Sequence, residues 1–172
     1  IKHSGGTSAL TIDSSGNVAT NASLNASTGL TVPSGHVIQL IENSTTTQVN
    51  STSQTYADTG LTATITPQFT SSKILITIAQ NVHKTNNALD QMQLNIVRGS
   101  TQLVQWATEL LHDDGALNHF NIYGSQSFLD SPSTTSATTY KTQFRRRLST
   151  SVQVSCQYAS ARSSIILMEI SG

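Results

Sequence analysis

Charge is scarce in this chain of 172 residues: nine Lys and Arg balance nine Asp and Glu, together 10% of the residues, for a formal net charge of zero. An average soluble protein devotes about 25% of its residues to these four types. A neutral chain lacks the cationic field that nucleic acid and anionic membrane surfaces require, so neither is expected as a partner. One cysteine, Cys156, excludes an intrachain disulfide framework and a cysteine-only zinc site. No apolar run approaches the roughly 20 residues of a membrane helix, so no membrane insertion is expected. Aromatic residues are only 5% of the chain. The first residue is Ile1, and no signal peptide is visible, so the sequence reads as a piece of something longer.

What fills the gap is uncharged polarity. Ser, Thr, Asn and Gln together make roughly 43% of the chain, an unusual deviation. Such a composition suits a disordered, mucin-like stretch, but the hydrophobic residues, 36% of the total, fall on alternate positions over much of the length. Alternation has no purpose in a disordered segment and an obvious one in a half-buried strand. Thr, Val and Ile also fit a pleated surface because they branch at Cβ. No stretch shows a 3.6-residue period. The chain is therefore expected to be all-β.

The text divides near Gly35. Residues 1–35 hold no aromatic residue and a loose repeat: Leu10-Thr11-Ile12 followed by Ser14-Ser15-Gly16, then Leu30-Thr31-Val32 followed by Pro33-Ser34-Gly35. Each unit joins a short strand to a glycine turn and is too small to bury a core alone, so it needs neighbours. From His36 onward, residues 36–172 show longer strands and frequent turns, as in a β-sandwich. Strands are predicted at 37–43, 54–57, 61–66, 73–82, 91–98, 102–111, 118–128, 138–147, 151–158 and 163–170. Within the last, Ile165 and Leu167 share one face while Ile166, Met168 and Ile170 share the other. A strand apolar on both faces is covered on both, and a second copy of the chain is the expected cover; the alternative is a central strand of a two-layer sandwich with an unusually apolar outer face.

The run Gly5-Gly6-Thr7-Ser8-Ala9-Leu10-Thr11-Ile12-Asp13-Ser14-Ser15-Gly16-Asn17-Val18, the second repeat leading into His36, and Tyr56-Ala57-Asp58-Thr59-Gly60-Leu61-Thr62-Ala63-Thr64-Ile65-Thr66-Pro67 together resemble the C-terminal part of bacteriophage tail-fibre and tail-spike proteins. The resemblance implies a parallel homotrimer with a thin repetitive β shaft, 1–35, and a globular head, 36–172. The head is similar in strand count to the trimeric jelly rolls of the tumour-necrosis-factor and complement-C1q type. It further implies a virion component outside the cell, joined to other tail proteins through a preceding region, that contacts a host surface glycan or outer-membrane receptor. Ile166, Met168 and Ile170 would then lie in the trimer interface. A capsid decoration or head-fibre protein, or a polysaccharide-depolymerising tip, are the alternatives.

Alternating the turns between the two ends of a sandwich assigns 44–53, 68–72, 99–100, 129–137 and 159–162 to the end far from the shaft. It assigns 58–60, 83–90, 112–115 and 148–150 to the near end. Short hydroxyl and amide side chains suit hydrogen bonding to sugars, which makes Thr46, Thr47, Ser133, Thr134, Thr135 and Arg162 the receptor-binding candidates. Arg145-Arg146-Arg147 reads either as a phosphate-binding stripe or as a structural charged face. Trp106 alternates with Val104 and Thr108, which favours a core or interface role over sugar stacking. The five histidines lack a zinc spacing. Asp113 and Asp114 sit in a turn rather than across a cleft, and no G-x-S-x-G elbow occurs. No catalytic residue, metal or cofactor is expected, and the chain is read as non-enzymatic.

Overall fold

The computed structural model describes residues 10–16, 18–20, 33–85, 91–111, 119–148 and 152–172. The chain falls into two compact units, Ile1–Val32 and Pro33–Gly172. In the first, β1 (Leu10–Ile12) and β2 (Val18–Thr20) pair antiparallel with Ile12 opposite Val18. Asp13 closes the connection: its carbonyl accepts from the Gly16 N–H at 3.0 Å and its carboxylate from the Ser15 N–H at 2.9 Å. Gly16 takes φ 82, a conformation that strains a residue with a Cβ. The first repeat thus forms its strand and glycine turn. The strand of the second repeat lies outside the described residues, and its turn opens the second unit, where the His36 N–H donates to the Pro33 carbonyl at 3.3 Å.

The second unit is all-β. Its long strands are β3 (Val37–Thr45), β5 (Ala57–Ile65), β6 (Lys73–Thr85), β7 (Met92–Arg98), β8 (Thr101–Leu110), β9 (His119–Asp130), β10 (Thr138–Arg146) and β12 (Ser163–Ile170). Two short ones, β4 (Val49–Ser51) and β11 (Val154–Cys156), and a 3-10 turn at Tyr158–Ser160 complete it. One sheet runs β9-β6-β12-β3, and β11 and β4 continue it along the second half of β6. The other runs β5-β10-β7-β8. Every pairing is antiparallel. Among the eight long strands, the first pairs with the eighth, the second with the seventh, the third with the sixth and the fourth with the fifth. That nested pairing is a jelly roll, a ribbon of four antiparallel pairs rolled into two facing sheets.

Pairing β3 with β12 brings the two chain ends of this unit to one pole, where the Ser171 backbone bonds Gly35 and His36 at 2.8 and 2.9 Å. The opposite pole carries residues 46–56 and 157–162 and the ends of β6 and β10, as expected for 44–53 and 159–162. The predicted alternation fails between them. Asp58-Thr59-Gly60, read from the sequence as a turn, lies inside β5: Lys141 faces Thr62 and Gln143 faces Asp58, so residues 59–61 stand opposite Thr142 alone. Gly60, at φ 83, supplies the positive φ that this bulge needs. Removing one predicted strand places 68–72, 99–100 and 131–137 at the chain-end pole, and residues 83–85 and 148 at the far pole. The short β11 restores the count before β12.

The interior has three layers. Leu61, Ile65, Ile74, Ile76, Ile78, Ile96, Tyr140, Ile165 and Leu167 form an apolar cluster toward the chain ends. Val82, Met92, Leu94, Leu111, Phe144, Val154 and Cys156 form a second toward the far pole. Between them, successive inward positions of β6 and β10 carry Gln80 and Thr142, both fully buried. Trp106 packs against both clusters, in accord with a core role for it. Burial also pushes the Cys156 thiol well above its ordinary pKa, so it remains protonated.

Two buried acids brace the chain-end pole. Asp130 Oδ2 accepts from Tyr140 Oη and Arg98 Nη1, each at 2.7 Å. Burial, then the Asp130 hydrogen bond and charge, hold the Tyr140 phenol far above its usual value. Glu169 accepts from Gln39 Nε2 at 2.5 Å and from the backbone N–H groups of Gln68 and Phe69 at 2.7 and 3.4 Å. Burial raises its pKa, but these bonds and the adjacent Ser72 hydroxyl outweigh it, and the net shift is below the ordinary 4.5. The unfolded chain therefore binds the extra proton first as the solution acidifies, and stability falls from about pH 5 downward until Glu169 itself protonates in the folded state. Thermal melts across that window should show the loss in the wild type and a flatter profile in Glu169→Gln. Equal slopes in the two proteins would remove Glu169 as the cause.

Candidate functional site at the far pole

The far pole is shaped by strained backbone held by buried polar groups. Gln157, Ala159 and Ser160 take left-handed φ values of 54, 52 and 62 although none is glycine. Such conformations persist only where the surroundings over-determine them, and they gather at ligand clamps and switches. The anchor is the fully buried Gln157 side chain. In the amide orientation that satisfies both of its polar atoms, the oxygen accepts from Gln80 Nε2 at 2.6 Å and Ser163 Oγ at 3.0 Å, and the nitrogen reaches the Thr47 and Thr59 carbonyls at 3.2 and 3.1 Å. The donors then run in one direction. The Leu61 N–H donates to Thr59 Oγ1, Thr59 to Thr142 at 2.5 Å, and Thr142 to Gln80 Oε1 at 2.9 Å. Gln80 Nε2 and the Asn81 N–H both reach Ser163 Oγ. One polar layer therefore ties both sheets to the 157–162 loop.

That loop lies beside residues 46–48. The Ala159 N–H donates to Gln48 Oε1 at 3.1 Å, and the Gln157 amide holds the Thr47 carbonyl. Thr46, Thr47 and Arg162, all exposed, share this pole. Arg162 Nη2 pairs with Glu42 Oε1 at 2.5 Å, so its charge is already partnered in a solvent-screened pair. Ser133, Thr134 and Thr135 are not part of the same surface. They follow β9 at the chain-end pole, opposite to the far-end placement expected from the turn count. There the Thr134 hydroxyl accepts from the Ser136 N–H at 3.1 Å. The far-pole surface is dominated by hydroxyls, amides and backbone groups, which suits hydrogen bonding rather than charge pairing.

The outer face of the β9-β6-β12-β3 sheet is the other distinctive surface. Ile165 and Leu167 are buried inward, while Ile166, Met168 and Ile170 face outward and are half-buried. Register places Leu40 opposite Met168 on β3, Leu75 opposite Met168 on β6, and Leu129 opposite Leu75 on β9. Leu40 is 54% exposed, Val37 55% and Leu129 50%. These residues form a contiguous apolar patch, a feature that marks interaction surfaces.

The arginine run is absorbed by the fold. Arg145 donates to Gln93 Oε1 at 2.7 Å and stacks 4.7 Å from the Tyr56 ring centre. Arg146 reaches the Val152 carbonyl at 3.4 Å, and Arg147 pairs with Glu109 at 2.5 Å. β10 lies between β5 and β7, so the run does not guard a sheet edge, and its three side chains are held by groups of the same chain. Trp106, Leu110, Gly124 and Ser125 line a small open cleft of about 210 Å³ between the edge strands β8 and β9. Among the described residues, no three His, Cys, Asp or Glu side chains gather into a metal-binding group; Asp113 and Asp114 lie outside them. Sequence reasoning missed Gln80, Gln157 and the pairing of His83 with His119. The residues of each set are far apart in the chain, and only the polar interruptions at inward positions of β6 and β10 hinted at the first.

No family model and no curated protein matches the chain. Among solved structures, infectious bursal disease virus (Gt strain) aligns at 9% identity and TM-score 0.38, covering 95% of this chain and 46% of that one. The VP2 subviral particle of the same virus aligns at 13% identity and TM-score 0.40, covering 96% of this chain and 43% of the other. This chain thus spans less than half the length of these neighbours. A likeness this distant assigns neither family nor function, and the jelly-roll description rests on the strand pairing itself.

Proposed function

We propose that this chain is a non-enzymatic structural adhesin of a virion, the distal part of a phage tail fibre. In this reading three copies associate through the outer face of the β9-β6-β12-β3 sheet, and the far pole contacts a glycan or outer-membrane receptor on the host. The observation that carries the proposal is the apolar patch centred on Ile166, Met168 and Ile170, half-buried on a strand whose inner face is filled by its own core and over whose outer face no other described strand packs. Both chain ends of the jelly roll lie at one pole, so preceding fibre and neighbouring tail proteins attach there and the opposite pole stays free. Thr46, Thr47 and Arg162 lie on that free pole. They become the receptor candidates, whereas Ser133, Thr134 and Thr135 do not share it. Weak contacts to a repetitive surface gain from three linked copies.

The test is competition for adsorption. Purified chain, added in excess, is expected to block attachment of the parent virus to its host, and a variant with Thr46 and Thr47 both changed to alanine is expected to block less. Undiminished attachment at saturating chain would sink the adhesin reading. Equal blocking by the double variant would remove these two threonines from the contact.

A further inference from the structure

On the outer sheet face near the far pole, β6 presents His83 and β9 presents His119. Their Nε2 and Nδ1 atoms are 3.3 Å apart, and the rings stack at 5.5 Å and 23°. The Tyr158 ring lies over His83 at 3.5 Å between centres and 10° from parallel. Tyr158 belongs to the strained loop: it follows Gln157 and precedes Ala159 and Ser160, all left-handed. Its N–H donates to Asn81 Oδ1 at 3.0 Å. The ring stack therefore joins the buried Gln157 amide, the Ala159–Gln48 bond and the Tyr158–Asn81 bond in holding this segment to the sheet against its backbone strain.

Proton placement follows from burial. His83 is fully buried, and its Nδ1 has no hydrogen-bond partner among the described residues. An unpartnered lone pair there is cheaper than an unpartnered N–H, so neutral His83 carries its proton on Nε2 and donates it to His119 Nδ1. A second proton has no good place. On His83 Nδ1 it is buried without an acceptor; on His119 Nδ1 it turns two N–H groups against each other. We propose that His83, His119 and Tyr158 form a proton-sensitive latch: the neutral pair holds the 157–162 loop closed, and proton uptake in acid releases it.

The groups around His83 offer an imidazolium no relief. From β9 it meets His119 and Asn121, from β11 the uncharged Ser155, and from the loop Tyr158. Lys84, next along β6, faces the opposite side of the sheet with Val82. Burial first, and the His119 charge second, hold the His83 pKa below its ordinary 6.5. The latch goes beyond the adhesin reading and stands or falls without it, because its test needs neither host nor receptor.

The test follows the Ala159 methyl group, the Tyr158 ring and the histidine rings of the full chain by NMR from about pH 8 to about pH 5. In the wild type, the Ala159 and Tyr158 signals are expected to move together with the His83 titration, reversibly and below pH 6.5. In His83→Phe, which keeps a stacking ring but takes no proton, those loop signals should stay fixed. In His119→Gln, which keeps an acceptor but loses the second charge, the loop transition should move to higher pH. Loop signals that ignore pH while His83 titrates would overturn the latch. So would a loop transition unchanged in His83→Phe or, if that variant does not fold, unchanged in His119→Gln.

Discussion

Gln80→Leu should lower the melting temperature of this chain by about 6–20 °C, although leucine is similar in size and the site is completely buried. The substitution leaves the Thr142 hydroxyl without its acceptor and removes the Gln80 donor from Ser163 and Gln157. Each buried polar group so orphaned costs about 1–3 kcal/mol, and about 3–5 kcal/mol in all is a large share of the stability of an ordinary domain, about 5–15 kcal/mol. At about 2–4 °C per kcal/mol for a domain of this order, the melt should shift as stated. The cost should also be non-additive: Gln80→Leu combined with Thr142→Val should be less harmful than the sum of the two, because the pair removes donor and acceptor together. Strictly additive losses, or a single-variant shift within error of zero, would show that the polar layer does not act as a connected unit.

Met168→Lys is expected to convert the proposed trimer into a folded monomer. Met168 lies outward on β12 with Leu40 and Leu75 on either side, and its strand's inner face is already filled by Ile165 and Leu167. A lysine there places one cation per copy in the centre of the proposed interface, where truncating a hot-spot residue costs about 2 kcal/mol or more. The folding core is untouched, so circular dichroism should be unchanged while sedimentation reports a threefold lower mass. A wild-type chain that sediments as a monomer would defeat the trimer outright; a variant that keeps the wild-type mass would move the interface elsewhere.

These predictions differ in how far they were readable in advance. The outward set Ile166, Met168 and Ile170 follows from period-two alternation, which survives any error in topology because it depends on neighbours in the chain. Alternation likewise locates β7, β10 and β12 to within a residue or two. The polar layer is different. Gln80, Thr142, Ser163 and Gln157 each look like surface residues in a chain so rich in hydroxyls and amides. They become interior only because the rolled ribbon brings β6, β10, β12 and the 157–162 loop to one level. His83 and His119 meet for the same reason, through the long β6–β9 pairing. The loop map fails where a local signal has two meanings: Asp58-Thr59-Gly60 carries turn chemistry, but the β10 register makes it a bulge within β5.

The scarcity of charge and the alternating pattern therefore determine the class of this protein by themselves: all-β, with a short unit of strand and glycine turn, a longer sandwich, and a final strand that is apolar on both sides. Those are statements about each residue and its near neighbours, and the period of a pleated strand is enough to make them. Only the tertiary structure decides which hydroxyls and amides are buried, which loops share a pole, and which histidines touch. Those properties depend on contacts between residues distant in sequence, and a single bulge in β5 is enough to reverse them from one end of the molecule to the other.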